Sequence, residues 1–123
     1  MSEFPEQEGG ADLKNISLED FTYRLNKNAA QIANKALEEY KNNSSFDGRE
    51  LFVLGSIGPS NYALSSTHAD LNKGTYEQIV NNFYCQVIGL IDGKADILLF
   101  ETQQDILELK AAVFGAKKAM REK

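Results

Sequence analysis

The apolar positions of the chain fall into five blocks whose spacing alternates between a helical and an extended period. Leu18, Phe21, Leu25, Ala29, Ile32, Ala33, Ala36 and Leu37 recur every three or four residues behind Ser17-Leu18-Glu19-Asp20, where a hydroxyl stands three residues ahead of a carboxylate. This predicts a helix over about 17–40, with Arg24, Lys27, Asn28, Lys35 and Glu38 as its solvated face. Asn42-Asn43-Ser44-Ser45 and Asp47-Gly48 stop it. Leu51-Phe52-Val53-Leu54 is a short continuous apolar run between turn residues and reads as a buried strand. Thr75-Tyr76-Glu77-Gln78 is a capping box opening a second helix, with Tyr76, Ile79, Val80, Phe83, Tyr84, Val87, Ile88 and Ile91 on one side and Asp92-Gly93 at its end. The run from Ala95 to Phe100 predicts a second strand, buried on both faces. Thr102 stands three residues before Asp105 as a third capping pair, and Ile106, Leu109, Ala112, Val113, Ala116 and Met120 form the last helical stripe.

The order helix, strand, helix, strand, helix predicts an α/β segment with two parallel strands and three helices. Parallel strands joined by a crossover end at the same edge, so Gly55 and Glu101 become neighbours. Residues 1–16 have no sustained periodicity and carry Pro5, Gly9 and Gly10 among acids and amides, which predicts a flexible N-terminal segment ahead of one folded unit over 17–123.

Charge narrows the function classes. A net charge of −5 and scattered Lys and Arg give no face for a nucleic-acid backbone. No apolar run approaches a membrane span, and the acidic start is unlike a signal peptide, so the expectation is a cytoplasmic protein with no nucleic-acid and no membrane partner. The single cysteine, Cys85, falls at a core spacing of the second helix and reads as a small buried hydrophobe. His68 lies alone in a loop and reads as a bystander.

The candidate chemistry sits at the two strand ends. An ionised carboxylate at the mouth of an apolar strand is costly unless a cation or several donors meet it, so Glu101 is expected to have a partner. A structural alternative is that Glu101 only begins the next helix, where negative charge suits the N-terminal dipole. Gly55-Ser56-Ile57-Gly58-Pro59-Ser60-Asn61 follows the first strand, and its glycines let backbone amides approach a ligand, although they match no phosphate loop or dinucleotide fingerprint. The connection over 56–74 lacks periodicity, and loops of that length are usually functional or disordered.

These two strand-end motifs carry a resemblance. Leu54-Gly55-Ser56-Ile57-Gly58-Pro59-Ser60-Asn61 and Ala95-Asp96-Ile97-Leu98-Leu99-Phe100-Glu101-Thr102, with the helix from Asp105 behind them, resemble the homocysteine-binding domain of the cobalamin-dependent methionine synthase family from about Leu18 onward. The resemblance implies part of a (β/α)8 TIM barrel in a homocysteine S-methyltransferase. It implies that Glu101 holds the amino group of homocysteine and that Gly55, Ser56, Gly58 and Asn61 share its rim. It also implies zinc on three cysteine thiolates and cobalamin for the complete enzyme, whereas this chain has one cysteine and is expected to hold no cofactor and to be inactive alone. The expected partners are homocysteine in a complete barrel, and complementary chain segments or further copies of the chain. The alternatives are a non-catalytic binding or interaction module and an inactive gene remnant.

Overall fold

Helix α2, Tyr76–Asp92, packs against helix α1, Leu18–Lys41, on one flank and helix α3, Ile106–Glu122, on the other. In the computed structural model, which describes residues 16–62, 64, 65 and 74–123, this layer covers one face of a two-stranded sheet. Strands β1, Leu54–Ile57, and β2, Ile97–Phe100, pair in parallel with Leu54 opposite Ile97 and Ile57 opposite Phe100. The mixed helix-and-strand order read from the sequence is the order observed. The flexible segment expected over 1–16 lies almost entirely outside the described residues, as does His68.

Local chemistry explains each helix start. The Ser17 hydroxyl accepts from the Asp20 amide at 3.1 Å, and Thr75 and Gln78 form a complete reciprocal capping box. The second helix ends as a Schellman motif, with the Lys94 amide on the Ile91 carbonyl and the Ala95 amide on the Leu90 carbonyl. The left-handed residue of that motif is Lys94, with φ 69°, rather than the preceding glycine. Gly93 serves another purpose, since a Cβ there would lie 2.5 Å from the Lys27 carbonyl oxygen of α1.

That close approach decides which faces are buried. A Cβ on Gly89 would lie 2.4 Å from the Tyr23 carbonyl of α1, and one on Gly115 of α3 would lie 2.6 Å from the Val80 carbonyl of α2. Backbones this near admit only small side chains between them, so Ala30 on α1 and Ala111, Ala112, Ala116 and Ala119 on α3 are the buried apolar ones. The stripe expected to be the core face of α1 points outward instead: Leu18, Leu25 and Ile32 are 64%, 56% and 69% exposed. Lys27, expected on the solvated face, is half-buried against α2. Large apolar residues fill the core from the middle helix and the strand, with Ile57, Ile79 and Val87 fully buried and each contributing about 1.5–3 kcal/mol.

The strands correct two further expectations. The first begins at Leu54 rather than Leu51, because the Asp96 carboxylate accepts the Val53 amide at 2.8 Å and takes the place of a ladder partner one residue upstream. The second is covered on one face only. Leu98 and Phe100 pack on the core, while Ile97 and Leu99, with Leu54 of β1, remain about half exposed on the opposite face.

Two substitutions test this account of the α1–α2 contact. Replacing Lys94 by Gly removes a left-handed side-chain penalty and should stabilise the fold by about 0.5–1 kcal/mol. Gly93→Ala should destabilise it by about 1–3 kcal/mol by forcing the two helices apart. Urea unfolding of the three proteins reads both, and a stable Gly93→Ala protein would mean that the backbones are not in contact there.

Candidate functional site

The parallel register builds the site. One row beyond the Ile57–Phe100 pair, the Glu101 amide donates to the Ile57 carbonyl at 3.1 Å and brings Glu101 beside Gly58. Strand alternation places the Glu101 side chain on the uncovered sheet face that also carries Ser56, Leu54, Ile97 and Leu99. Ser56 Oγ donates to Glu101 Oε1 at 3.3 Å, and Thr102 Oγ1 donates to Oε2 at 2.6 Å. The expected partner of Glu101 is therefore a pair of neutral hydroxyls. Among the described residues no Lys, Arg or His forms an ion pair with it, so its negative charge is oriented but not balanced.

The segment after Glu101 departs from the capping pair expected of Thr102 and Asp105. Thr102 has φ 50°, a left-handed conformation that is strained for a β-branched residue by roughly 1–3 kcal/mol. The cap of α3 is Asp105 itself, whose Oδ1 accepts the Leu107 amide at 2.8 Å and the Glu108 amide at 3.4 Å. Glu101 thus stands outside the first turn of the helix. That position leaves little for the dipole alternative, because the helix field fades beyond the terminal turn.

Carboxylates of α3 also hold the loop that follows β1. Asp105 accepts the Ser65 amide at 2.8 Å and the Ser65 hydroxyl at 2.6 Å, which together with the cap lowers its pKa from 3.8 to about 2. Glu108, only 2% exposed, accepts the Ser60 amide at 2.5 Å. Gln103 Nε2 donates to the Ile57 carbonyl at 3.2 Å, while its Oε1 is buried without a partner among the described residues.

Of the five residues singled out in the sequence, Ser56, Gly58 and Glu101 come together, and a Cβ on Gly58 would lie 3.5 Å from Glu101 Oε1. Gly55 faces the helices, where a Cβ would meet Leu90 at 2.8 Å. Asn61 is exposed along a groove of about 490 Å³ that it lines with Gly58, Tyr62, Thr22, Asn82 and Phe83. Sequence reasoning missed Thr102, Gln103 and Glu108 as parts of this corner. The only available signal was their nearness to Glu101 in the chain.

Cys85 is half-buried rather than enclosed, and burial pushes its thiol pKa up, which keeps it protonated. No group of three His, Cys, Asp or Glu suited to a metal occurs among the described residues, and the whole chain has one Cys and one His. These residues do not fit the three-thiolate zinc site that the resemblance implies.

The family model described as homocysteine S-methyltransferase matches residues 6–122. The chain belongs to that family. This family member is 33% identical over 114 residues to the methionine synthase of Mycobacterium tuberculosis (strain ATCC 25618 / H37Rv), and 31% identical over 117 residues to that of Mycobacterium leprae (strain TN). The matches cover 90% and 92% of this chain but 9% of each relative, so it spans about a tenth of the length of the curated relatives it matches. No solved structure matches it. Among the described residues no helix is long and apolar enough to cross a membrane.

The clasp at Asp105 has a pH signature. Its pKa is lower in the folded chain than the ordinary 3.8, so its stabilisation is present above pH 4 and lost as pH falls through about 2. Asp105→Ala should cost about 1 kcal/mol at neutral pH as the cap is lost. Asp105→Asn keeps a capping oxygen without the charge, so its melting temperature should lie below the parent's at pH 6 and converge with it between pH 4 and pH 2. A constant gap across that window would assign the lowered pKa to another carboxylate.

Proposed function

We propose that the chain forms one arc of a (β/α)8 barrel that binds homocysteine for methyl transfer to its sulfur, with Glu101 receiving the ammonium group of the substrate. The observation that carries this reading is the Glu101 carboxylate at the C-terminal edge of two parallel strands, fixed by two neutral hydroxyls and left with its charge. That edge is where (β/α)8 enzymes keep their chemistry. Glu101 orients the amino acid and breaks no bond. Ser56 and Gly58 share the rim with it; Gly55 supports the rim from the helix side, and Asn61 extends it along the loop.

The uncovered surfaces support the barrel part of the reading. A parallel sheet is ordinarily covered on both faces, yet Leu54, Ile97 and Leu99 stand open on the face that a barrel would enclose. Leu25 and Ile32 on α1, and Ile106 and Phe114 on α3, lie exposed on the outer flanks of the helix layer, where neighbouring units of a barrel would pack. The zinc and the cobalamin implied by the family resemblance then belong to parts of a complete enzyme that this stretch does not supply.

The same exposed faces favour a second reading, in which the chain is a non-catalytic module whose sheet and helix flanks dock on another polypeptide or on a further copy.

Exchanging this chain for the matching stretch of the Mycobacterium tuberculosis methionine synthase tests the first reading. In that chimaera Glu101→Gln should weaken homocysteine binding about ten- to a hundredfold, the worth of a charge-assisted hydrogen bond, with thermal unfolding unchanged. Equal affinities of the two chimaeras would leave the docking reading. The 123-residue chain alone should form no methionine and keep zinc at background after dialysis. Stoichiometric zinc by metal analysis would contradict the ligand count.

A further inference from the structure

We propose that Thr102 is a positioning residue for Glu101: its left-handed backbone turns the Oγ1 hydroxyl back onto the carboxylate and fixes the direction in which that carboxylate meets an ammonium group. The proposal rests on the reading of Glu101 as the ammonium acceptor. Two non-glycine residues among the described ones have positive φ, Lys94 at 69° and Thr102 at 50°. Lys94 is accounted for by the Schellman end of α2. Thr102 has no such account, since α3 is capped by Asp105 and the Thr102 side chain is exposed, so neither a helix end nor packing requires a threonine there. Glycine or asparagine would take this conformation with less strain.

What threonine supplies in their place is a hydroxyl 2.6 Å from Glu101 Oε2. A hydroxyl has one proton to give, so its bond orients a carboxylate without cancelling its charge, as a lysine or arginine in the same place would. Ser56 holds the other oxygen at the longer distance of 3.3 Å. The two donors come from the C-terminal ends of the two neighbouring strands, and together they define the plane of the carboxylate before a ligand arrives. Gln103, whose amide is tied to the Ile57 carbonyl, anchors the residue that follows and keeps the turn from relaxing. Strain at a ligand-facing turn is retained where it organises a site, and here the strained residue itself makes the organising bond.

Three variants of the 123-residue chain separate hydroxyl from shape. Thr102→Val keeps the branched shape and the strain but has no hydroxyl, Thr102→Ser keeps the hydroxyl, and Thr102→Gly removes both the strain and the hydroxyl. Lys94→Gly is the control for strain relief away from the site. The first readout needs no ligand: three-bond NMR couplings should show one Glu101 side-chain rotamer in the parent and in Thr102→Ser, and averaged rotamers in Thr102→Val and Thr102→Gly. The second is titration with L-homocysteine of the same variants placed in the chimaera with the Mycobacterium tuberculosis methionine synthase, where Thr102→Val and Thr102→Gly should bind about three- to tenfold more weakly and Thr102→Ser as the parent does. Thr102→Gly and Lys94→Gly should both melt higher than the parent, with binding impaired only in the former. A single Glu101 rotamer in Thr102→Val, or parental affinity in that variant, would overturn the proposal. A Glu101→Gln chimaera that binds L-homocysteine as tightly as the parent chimaera would overturn the assignment of Glu101 as acceptor, while the couplings still decide whether Thr102 fixes the carboxylate.

Discussion

Close backbone contact along both flanks of α2 is the constraint from which most of the structure follows. Gly89 and Gly93 admit the backbone of α1, and Gly115 admits α2 to α3, at distances where a single methyl group would collide with a carbonyl oxygen. Helices that approach so closely leave room between them only for alanine-sized groups. Leu18, Leu25 and Ile32 of α1 and Ile106, Phe114 and Met120 of α3 are therefore turned outward, and polar groups help fasten the contact. Asn34 of α1 donates to the Gly93 and Lys94 carbonyls at 3.1 and 2.9 Å, and the Tyr23 hydroxyl donates to Asp92 at 2.9 Å. These bonds hold the turn that leads into β2, and through it they set where β2 begins.

From that start the site is a matter of register. Asp96 ties the entry of β2 to Val53 through its carboxylate and its amide, and four residues of parallel ladder follow. Because side chains alternate, a slip of one residue would turn Glu101 from the open face toward the helices and separate it from Ser56. The carboxylate thus depends on a contact at the far end of the strand.

Element type and order were legible in the sequence because they rest on local signals. Ser17 with Asp20 and Thr75 with Gln78 cap the helices they were expected to cap, and Ile79, Phe83 and Val87 are the core of α2. Hydrophobic period alone could not show which face of α1 would be buried, and it matched that of α3 only in part, at Ala112 and Ala116 but not at Ile106 or Met120. Small residues can outrank large ones when backbones touch, and that is a property of the pair of helices rather than of either one. Nor could the strand patterns reveal that one sheet face stays open, since a continuous apolar run reads as buried on both sides whether or not its second cover is present. At the site, Glu101 and Ser56 were found because they end strands. Thr102 was misplaced because its spacing to Asp105 mimics a capping pair, and only its backbone conformation shows that it serves the residue before it instead.

The departures from local consistency cluster in one corner. Between Glu101 and Glu108 the chain carries an unbalanced carboxylate, a strained β-branched residue, a buried amide oxygen without a partner among the described residues, and a nearly fully buried glutamate bonded to a loop amide. Elsewhere, apart from the left-handed Lys94 at the end of α2, caps, glycines and core residues agree with the structure they adopt. Natural sequences break local rules mainly where function demands it, and each of these features weighs against stability alone. Their concentration behind a single strand end, on the face where apolar side chains also stand uncovered, is the pattern that the proposed ligand-binding role of this corner accounts for.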